Sequence, residues 1–381
     1  MDSSEPSPPP SSPSLRVALV CPYSLSRPGG VQGQVLGLAR TLRLRGHRPT
    51  VFAPLDGPPP TGETVDVVGT GRSVSLPANG SVAPVTRSVP AVVRGVRSIR
   101  SEGYDVVHVH EPFTPGLAYG LLAAPGVPPM VATFHRSGGS PFYTALAPVT
   151  RRVAARFAVR CAVSEAARAT AFEALGGTYE VGFNGVEVDR YQGVDPWPTD
   201  RPTVLFLGRH EPRKGLELLL QAFDALDPPV PEGPGGGPVL WIAGDGPQTP
   251  SLRRLHPGSD RVRWLGVLSE EEKVRRLVAA DVLCAPSIGG ESFGMVLVEA
   301  MAAGTAGVAS DISGYREAAA GHAALVPPGD AQALSRALSG VLTGGPTGLE
   351  AAGRWACHWS MDRLAAWYED VYRSALVRPG A

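Results

Sequence analysis

The sequence has no surplus of charge of either sign, because its 381 residues include 35 lysines and arginines and 35 aspartates and glutamates. A neutral chain has no overall attraction to nucleic acid or anionic lipid, so any such attraction has to come from a local patch. Apolar runs of the roughly 20 residues that a membrane-spanning helix needs are also missing. We therefore expect no nucleic-acid partner and a protein that is soluble or, at most, lies on a membrane surface.

Cysteine is scarce as well. The four cysteines (Cys21, Cys161, Cys284 and Cys357) lie far apart, and none of their spacings is that of a metal site or a redox motif. The first three lie in apolar, strand-like runs, in which buried free thiols are common. This usage fits a reducing cytoplasm. Acidic pairs with apolar flanks and regularly spaced histidines are missing too, so the sequence predicts no metal site.

The rest of the chain alternates between strand and helix patterns. Residues 1–14 are mostly Ser, Pro, Asp and Glu without an apolar core, which predicts a disordered tail rather than a signal peptide. Strand–helix units fill residues 15–195, and similar units fill residues 196–350 after a proline-rich linker, before a helical segment at 351–381. This order predicts an α/β protein of two Rossmann-like, doubly wound domains that face each other across a cleft.

Two glutamates eight positions apart, Glu291 and Glu299, mark the most informative stretch. The first follows a short buried strand and a loop, and the second lies about two turns into a helix-forming run that Gly304 ends. Gly290 and Gly294 permit a ligand to approach the backbone, and the helix N-terminus offers free N–H groups to a phosphate. An ordinary strand–loop–helix unit with solvated glutamates would show the same pattern.

Cations follow the first strand of the second half, at Arg209, Arg213 and Lys214. Arginine binds phosphate oxygens in a bidentate manner and lysine acts as a point charge. Such a loop is usually solvated, but in the same domain as the two glutamates it indicates a diphosphate site. The turn at Gly29 and Gly30, after the first strand of the chain, can hold a diphosphate or be a simple turn. It lacks the G-x-G-x-x-G fingerprint of an NAD enzyme.

Three histidines end or line strands of the first half. His135 lies at the carboxyl end of a predicted strand, where open α/β sheets bind ligands. Taken alone, however, a single histidine at such a position favours a structural role. His108 and His110 alternate with valines inside a strand, which favours core or supporting roles.

A basic helix face is predicted after Pro90. Arg94, Arg97 and Arg100 are spaced by three, and Arg87 comes just before them. Such a helix can lie on anionic lipid. A surface helix with solvated arginines has the same pattern.

Together these motifs resemble the retaining glycosyltransferases of family 4, which have the GT-B fold. One sequence motif, which begins at Gly289, is similar to a motif of the actinobacterial phosphatidylinositol mannosyltransferases, a branch of this family. It reads Gly-Gly-Glu-Ser-Phe-Gly-x-Val-Leu-Val-Glu-Ala-Met-Ala-Ala-Gly-Thr. The resemblance extends over nearly the whole chain after the tail, and the similar segments are residues 20–32, 78–83, 108–112, 132–135, 205–215 and 284–294.

The resemblance implies a peripheral enzyme at the cytoplasmic face of the membrane. It would move mannose from GDP-mannose to the inositol of phosphatidylinositol, with retention and without a conventional protein base. It implies no required cofactor, and stimulation by a divalent ion would be compatible with it. The catalytic residues implied are His135, Arg209, Lys214 and Glu291.

The resemblance also implies two groups of binding residues. Arg209 and Lys214 would bind the diphosphate, Glu291 the mannose hydroxyls and Glu299 the ribose hydroxyls. The full donor set is Gly30, Arg209, Lys214, Leu268, Ser269, Lys273, Glu291, Ser292, Phe293, Gly294, Met295 and Glu299. The acceptor set is Tyr23, Gln32, Asn79, Ser81, Arg87 and His135. The segment at 351–381 would return to the first domain.

The chain departs from the family pattern in the acceptor region. Where the family has an arginine for the lipid phosphate, this chain has Pro84, and Arg87 three residues later is a possible substitute. The basic helix is also less dense in cations than in the family. A family 4 enzyme with another acceptor, soluble or lipid, therefore stays an alternative, as does a nucleotide-sugar-binding protein without catalysis.

Overall fold

Two all-parallel sheets form the frame of the protein, and both have the strand order of a doubly wound fold. The computed structural model describes residues 13–27, 29–59, 64–78, 81–136, 147–226, 229–232, 235–291, 293–345 and 347–377. Of the tail predicted at 1–14, only residues 13 and 14 lie within these ranges.

The first sheet has the order β3-β2-β1-β6-β7-β8-β9 and the second β12-β11-β10-β13-β14-β15, while β4 and β5 form an antiparallel hairpin. The strands are β1 Arg16–Val20, β2 Arg48–Ala53, β3 Asp66–Gly69, β4 Ser73–Ala78, β5 Ser81–Thr86, β6 Val106–His110, β7 Met130–Phe134, β8 Val159–Ala162, β9 Glu180–Val181, β10 Thr203–Leu207, β11 Val239–Ala243, β12 Val262–Gly266, β13 Val282–Ala285, β14 Ala306–Ser310 and β15 Ala324–Val326.

Helices connect most of these strands and cover both faces of each sheet. They are α1 Gly30–Leu44, α2 Val89–Ser101, α3 Leu117–Ala123, α4 Ala147–Ala154, α5 Glu165–Leu175, α6 Leu216–Asp224, α7 Thr249–Leu255, α8 Glu270–Ala279, α9 Met295–Ala302, α10 Ser313–Ala319, α11 Ala331–Gly344, α12 Leu349–Ala356 and α13 Met361–Val377. Short 3-10 turns lie at Val188–Tyr191, Pro212–Lys214 and Cys357–Trp359.

Burial on both faces explains why the strands read as continuous apolar runs. Along β1, Val17 and Leu19 pack into the core beneath α1 and α13, whereas Ala18 and Val20 pack into the core beneath α2 and α3. The second sheet is covered in the same way, by α9 and α12 on one face and by α6 and α11 on the other. Parallel sheets need this cover because crossover helices lie on both sides.

The topology fixes where a ligand can bind. In each sheet the strand order reverses next to the first strand, so β1 has β6 beside it and β10 has β13 beside it. Loops that leave these two strand pairs diverge to opposite faces and leave a crevice at the carboxyl edge. The chain therefore has two such crevices, one in each domain.

The end of the chain is broken where the sequence predicted one helical segment. α12 ends before a 3-10 turn, and Ser360 is extended, with ψ 146°. The Ser360 hydroxyl then accepts a 3.3 Å hydrogen bond from the backbone N–H of Arg363, which caps the start of α13. Ala352 packs in the core of the second domain and Leu364 in that of the first, so the chain passes from one domain to the other near Ser360.

The hairpin is a local feature that the alternation of strands and helices did not predict. β4 ends at Ala78, and Ser81, which the resemblance assigns to the acceptor site, begins β5. Pro84 argues against a strand by its missing N–H, and it is accommodated because this hairpin has only two strands. The Ser164 and Ser269 hydroxyls each accept a backbone N–H and cap the starts of α5 and α8. Cys21, Cys161 and Cys284 are buried free thiols, as predicted.

Candidate active site

The crevice of the second sheet brings together the cations and one acid predicted from the sequence. The loop after β10 carries Arg213 and Lys214, and the loop after β13 carries Glu291. The Lys214 Nζ lies 2.6 Å and the Arg213 Nη1 2.8 Å from the same oxygen, Oε1 of Glu291. Arg209 lies on the same loop, with its Nε 2.7 Å from the carboxylate of buried Glu211. Three cations and two acids thus share this edge.

Gly215 explains why these two loops are so close. Its φ of +70° lies in the left-handed region, and a Cβ there would lie 2.1 Å from the carbonyl oxygen of Pro286. Only glycine avoids both the strain and the clash. The backbone N–H of Ile288 also donates a 2.8 Å hydrogen bond to the carbonyl of Arg213. The position of Lys214 relative to Glu291 is therefore set by the backbone.

The helix that carries the second acid begins later than the sequence suggested. α9 starts at Met295 after Gly294, whose φ is +85°, so Glu299 lies just over one turn into the helix rather than two. The Phe293 side chain is buried against Trp359, with ring centroids 4.8 Å apart, which anchors the loop just before α9. Ser292 lies outside the described residues.

Glu299 is paired with a half-buried lysine. The Lys273 Nζ lies 3.1 Å from Oε1 of Glu299 and 3.1 Å from Oε2 of Glu270. Burial alone would lower the pKa of Lys273, but the two carboxylates outweigh it and raise the pKa above its usual value, so the side chain stays a cation. Leu268 and the capping residue Ser269 directly precede α8, the helix that carries Lys273.

The two acids of the motif therefore have matching partners. The chain has two lysines, Lys214 and Lys273, and each is in contact with one of the two acids, Glu291 and Glu299. A lysine placed beside each carboxylate balances its charge until a ligand replaces one of the contacts.

The crevice of the first sheet holds the histidines. His110 Nδ1 and His135 Nε2 are 2.8 Å apart, and their rings stack with centroids 5.1 Å apart. Burial lowers the pKa of His135 to about 4, although a contact with Asn184 acts in the opposite direction. His108 is fully buried beneath them and bonds Tyr372 of α13. The His135 imidazole is thus neutral at neutral pH.

Glu111 belongs to this crevice but had no role in the sequence analysis. It follows β6, is buried and has a φ of +46°, which is strained for a residue with a Cβ. Its Oε1 accepts a 2.7 Å hydrogen bond from the backbone N–H of His135, and burial raises its pKa. Strain at the end of a strand is typical of functional sites, and it leaves no mark in the sequence.

The predicted acceptor residues lie on the loop after β1 and on the hairpin. Tyr23 forms a bridge with Val85 of β5. The Gln32 Nε2 donates to the carbonyls of Arg27, at 3.1 Å, and of Ser24, at 3.3 Å, so Gln32 holds this loop in place. Asn79 lies outside the described residues, and of Ser81 only the backbone is described.

Two arginines flank the position where the family pattern differs. The carbonyl of Pro84 accepts a 2.8 Å hydrogen bond from the N–H of Ser24, and Ser75 lies opposite Pro84 in the hairpin. The Arg27 Nη1 donates to the Ser75 hydroxyl at 3.2 Å. Arg87 is exposed just after β5. Arg27 was not singled out from the sequence, because only the hairpin brings it to this place.

α1 connects the two crevices. Gly30 begins the helix and is exposed, with no atom within 4 Å of the place of a Cβ. The Gln34 Nε2 donates to the carbonyl of Gly185 at 2.7 Å and lies 3.4 Å from the Met295 Sδ, at the start of α9. The N-terminal half of α1, in the first domain, therefore lies next to the first residue of α9, in the second domain.

α2 presents a basic and partly apolar surface. Arg94, Arg97 and Arg100 are exposed, and so are Val89, at 70%, and Val93, at 49%. Among the helices of the described residues, none has both the length and the apolarity to cross a membrane.

Comparisons with known proteins agree with this architecture. Residues 28–190 match the family described as Glycosyltransferase Family 4, and residues 201–344 match that described as Glycosyl transferases group 1. The phosphatidyl-myo-inositol mannosyltransferase of Mycolicibacterium smegmatis is 42% identical over 86% of this chain and 85% of its own. The D-inositol 3-phosphate glycosyltransferase of Xylanimonas cellulosilytica is 30% identical over 92% of this chain and 93% of its own.

The fold has close counterparts among solved structures. The crystal structure of Anabaena Alr3699/HepE in complex with UDP and glucose superimposes with a TM-score of 0.72, at 21% identity, over 94% of this chain and 100% of that one.

Proposed function

Because the chain belongs to glycosyltransferase family 4, we propose that it transfers a mannosyl group from GDP-mannose to the inositol of phosphatidylinositol, with retention of the anomeric configuration. The relatives that are named for mannosyl transfer to phosphatidyl-myo-inositol support this choice of sugar and acceptor. The observation in the molecule that supports it most directly is the pairing of both lysines with the two acids of the motif.

Arg209 and Lys214 would bind the diphosphate of the donor. When the sugar leaves, negative charge grows on the phosphate oxygens, and preorganised cations and N–H groups stabilise it by several kcal/mol. The backbone N–H groups at Phe293 and Gly294, at the start of α9, would add to this charge stabilisation. Gly30, which opens α1 in the other domain, would close over the phosphates.

The two acids would divide the rest of the donor between them. Glu291 would accept hydrogen bonds from the mannose hydroxyls and Glu299 from the ribose hydroxyls. Leu268, Ser269 and Lys273 would line the guanine end, and Met295 would lie between the sugar and α1. A hydroxyl that bonds to a carboxylate already balanced by lysine does not leave a buried charge unpaired.

The proposed chemistry breaks one bond and forms one. The bond between C1 of mannose and the diphosphate oxygen breaks, GDP leaves with the electron pair, and an inositol oxygen bonds C1 from the same face. The inositol hydroxyl proton goes to a phosphate oxygen of the leaving group. His135, neutral because burial lowers its pKa to about 4, would contact the reacting sugars as a hydrogen-bonding partner. No resident cofactor enters this scheme.

The acceptor would bind against the loop after β1 and the hairpin. Tyr23, Gln32 and the hairpin residues Asn79 and Ser81 would line the inositol. Arg27 and Arg87 flank Pro84, and we propose that they take the phosphate contact for which the family uses an arginine at that position. The donor would thus bind mainly at the crevice of the second sheet and the acceptor at that of the first.

The basic surface of α2 would bring the enzyme to its lipid substrate at the cytoplasmic face of the membrane. Arg94, Arg97 and Arg100 would contact anionic headgroups while Val89 and Val93 enter the interface. A solvated surface helix remains the simpler alternative for this face.

A second acceptor class is favoured by one observation, the relative named for D-inositol 3-phosphate that covers nearly the whole chain. A soluble inositol phosphate would need no membrane surface, and Pro84 removes one arginine from the lipid pattern. Transfer assays with GDP-mannose, with and without Mg²⁺, separate the two classes. Product with phosphatidylinositol vesicles supports the proposal, product only with inositol phosphates supports the alternative, and donor binding without any transfer indicates a binding protein.

The lysine content allows a direct test of the donor site. Lys214 and Lys273 carry the only side-chain amines in the chain. We expect GDP to protect Lys214 from acylation, measured by mass spectrometry of the intact enzyme after treatment with an acetylating reagent. UDP serves as the matched control nucleotide. Equal modification of Lys214 with and without GDP would contradict its place on the diphosphate.

A further inference from the structure

A row of ion pairs runs from α1 in the first domain toward the second domain. It starts at Arg40, whose Nε and Nη2 lie 2.9 Å and 2.6 Å from the two carboxylate oxygens of Glu187. Glu187 lies in the segment between β9 and β10, which joins the two sheets and which we call the linker. The Arg190 Nη1 lies 3.1 Å from Oε2 of Glu187, the same oxygen that Arg40 Nη2 approaches. The bidentate contact therefore shares its acid with a second cation.

The row continues without a gap to the donor site. The Arg190 Nη1 lies 3.5 Å from Oε2 of Glu270, and the Lys273 Nζ lies 3.1 Å from that same oxygen. Lys273 then reaches Oε1 of Glu299 at 3.1 Å. We call this alternation of cation and acid, from Arg40 to Glu299, the ion-pair row.

One face of α1 rests on the linker at the start of this row. Gln34, Gly37 and Arg40 are spaced by three and so lie along one side of the helix. Gln34 exchanges two hydrogen bonds with Gly185, of 2.7 and 2.8 Å. A Cβ at Gly37 would lie 3.5 Å from the carboxylate of Glu187. The contact between Arg40 and Glu187 is thus one of the ties that hold α1 to the segment between the domains.

Sharing makes the pairs of the row compete. Two cations approach one oxygen of Glu187, and two approach one oxygen of Glu270. A cation that is drawn to one acid moves away from the other, so a stronger pair weakens the next. Burial would raise the pKa of Glu270, but Lys273, Arg190 and Arg40 lower it below its usual value. The charge of Arg40 is therefore felt at Glu270, two acids along the row.

We propose that Arg40 and Glu187 are positioning residues of the nucleotide-sugar site, which act through the ion-pair row on the strength of the contact between Lys273 and Glu299. The proposal rests on the role of Glu299 in the proposed function, as acceptor of the ribose hydroxyls. A carboxylate that is less engaged by lysine is a stronger acceptor for these hydroxyls. Through the row, the contact between Arg40 and Glu187 affects donor binding at Glu299. By thermodynamic linkage, donor binding affects that contact to the same extent.

The alternation predicts opposite effects for neighbouring members. Without the Arg40 charge, Glu187 draws Arg190 from Glu270, Glu270 draws Lys273, and Glu299 is freed for the donor. Without the Glu187 charge, Arg190 turns to Glu270, and Lys273 turns to Glu299 and competes with the donor. General loss of structure would instead weaken binding in both variants.

The experiment measures the Kd of GDP for the full-length protein by isothermal titration calorimetry. We expect Arg40→Gln to lower the Kd and Glu187→Gln to raise it, each by about threefold, the size typical of single partly exposed ion pairs. Arg190→Gln serves as a second variant in the same direction as Arg40→Gln. Arg45→Gln is the matched control, because Arg45 follows the same helix but pairs with Glu369 inside the first domain.

Each outcome decides the proposal. The proposal is supported if Arg40→Gln and Glu187→Gln shift the Kd of GDP in opposite directions and Arg45→Gln leaves it unchanged. The kcat for GDP-mannose turnover should stay the same in all three variants. Shifts in the same direction, or none, overturn it while the proposed function stands. A wild-type protein that does not bind GDP overturns the proposed donor and, with it, this inference.

Discussion

The ammonium of Lys214 lies 2.6 Å from Oε1 of Glu291, and the guanidinium of Arg213 lies 2.8 Å from the same oxygen. The cation that we assign to the diphosphate and the acid that we assign to the sugar therefore neutralise each other in the free protein. A donor would exchange this one pair for two contacts, phosphate with Lys214 and hydroxyls with Glu291. This exchange is the basis of the first prediction.

Removing the Lys214 charge should abolish most of the activity without unfolding the protein. We expect Lys214→Ala to lower kcat/KM for GDP-mannose by about 100-fold or more, in line with the loss of one preorganised group at a leaving anion. Steady-state assays with GDP-mannose check this. Arg354→Ala is the control, because Arg354 forms an exposed pair with Glu350 within α12. Near-normal turnover of Lys214→Ala would refute the diphosphate role.

A methyl group at Gly215 should separate the two loops of the donor crevice. We expect Gly215→Ala to lower the free energy of unfolding by about 1–3 kcal/mol, since the residue has a left-handed φ and a Cβ would meet the carbonyl of Pro286. Gly345→Ala is a matched control, because Gly345 has a φ of +72° but open space at its Cβ. Denaturant unfolding of both variants, with donor assays, distinguishes backbone strain from the clash at the site.

Acid should destabilise the first domain before the carboxylates titrate. Burial lowers the pKa of His108 to about 3 and that of His135 to about 4, below the value near 6.5 of an unfolded histidine. As pH falls from 6.5, the unfolded chain takes up these protons first, so stability declines between pH 6.5 and 4. Urea unfolding at pH 7, 6 and 5 measures the slope. It should be shallower in His135→Gln and unchanged in His358→Gln, an exposed site.

The two arginines beside Pro84 should matter for the acceptor and not for the donor. We expect Arg27→Ala and Arg87→Ala each to raise the KM for phosphatidylinositol by about 10- to 100-fold, because each removes a charge from a phosphate contact worth about 1.5–3 kcal/mol. The KM for GDP-mannose should stay the same. Arg72→Ala, another exposed arginine beside the hairpin, is the control. An equal effect on both substrates would indicate a general structural role instead.

Vesicle binding through α2 should weaken as salt rises. Exposed arginines attract anionic lipid over a Debye length of about 10 Å at 0.1 M salt, and this attraction is screened at higher ionic strength. We expect co-sedimentation with phosphatidylinositol-containing vesicles to fall between 50 mM and 500 mM NaCl, and to fall further in the triple variant Arg94→Gln, Arg97→Gln, Arg100→Gln. Binding that does not respond to salt or to these substitutions would count against the membrane surface on α2.

The frame of the protein and its second crevice could be read from the sequence. Strands buried on both faces leave apolar runs that stand out from the helices, and a loop that follows such a run lies at the carboxyl edge of the sheet. That is how Arg209, Lys214 and Glu291 could be placed together before the structure was known. The contact between Lys273 and Glu299 follows from no local pattern, because it depends on how α8 and α9 pack.

Other features lay beyond sequence reasoning for physical reasons. β5 contains a proline, and only the isolation of the hairpin makes a strand acceptable there. The break at Ser360 interrupts a helical pattern that continues on both sides of it, so no local signal marks where the chain passes from one domain to the other. The strained φ of Glu111 and the ion-pair row depend on residues far apart in the chain, which no window of sequence compares.

The helix α13 has a consequence for how the protein is made. Its side chains cover one face of the first sheet, and the hydroxyl of Tyr372 completes the hydrogen bonds of His108 on β6. When residues 15–195 have left the ribosome, the whole sheet and α1 are present, but the part of this face that α13 covers is still exposed. The core of the first domain can therefore be completed only after the last helix of the chain has been synthesised.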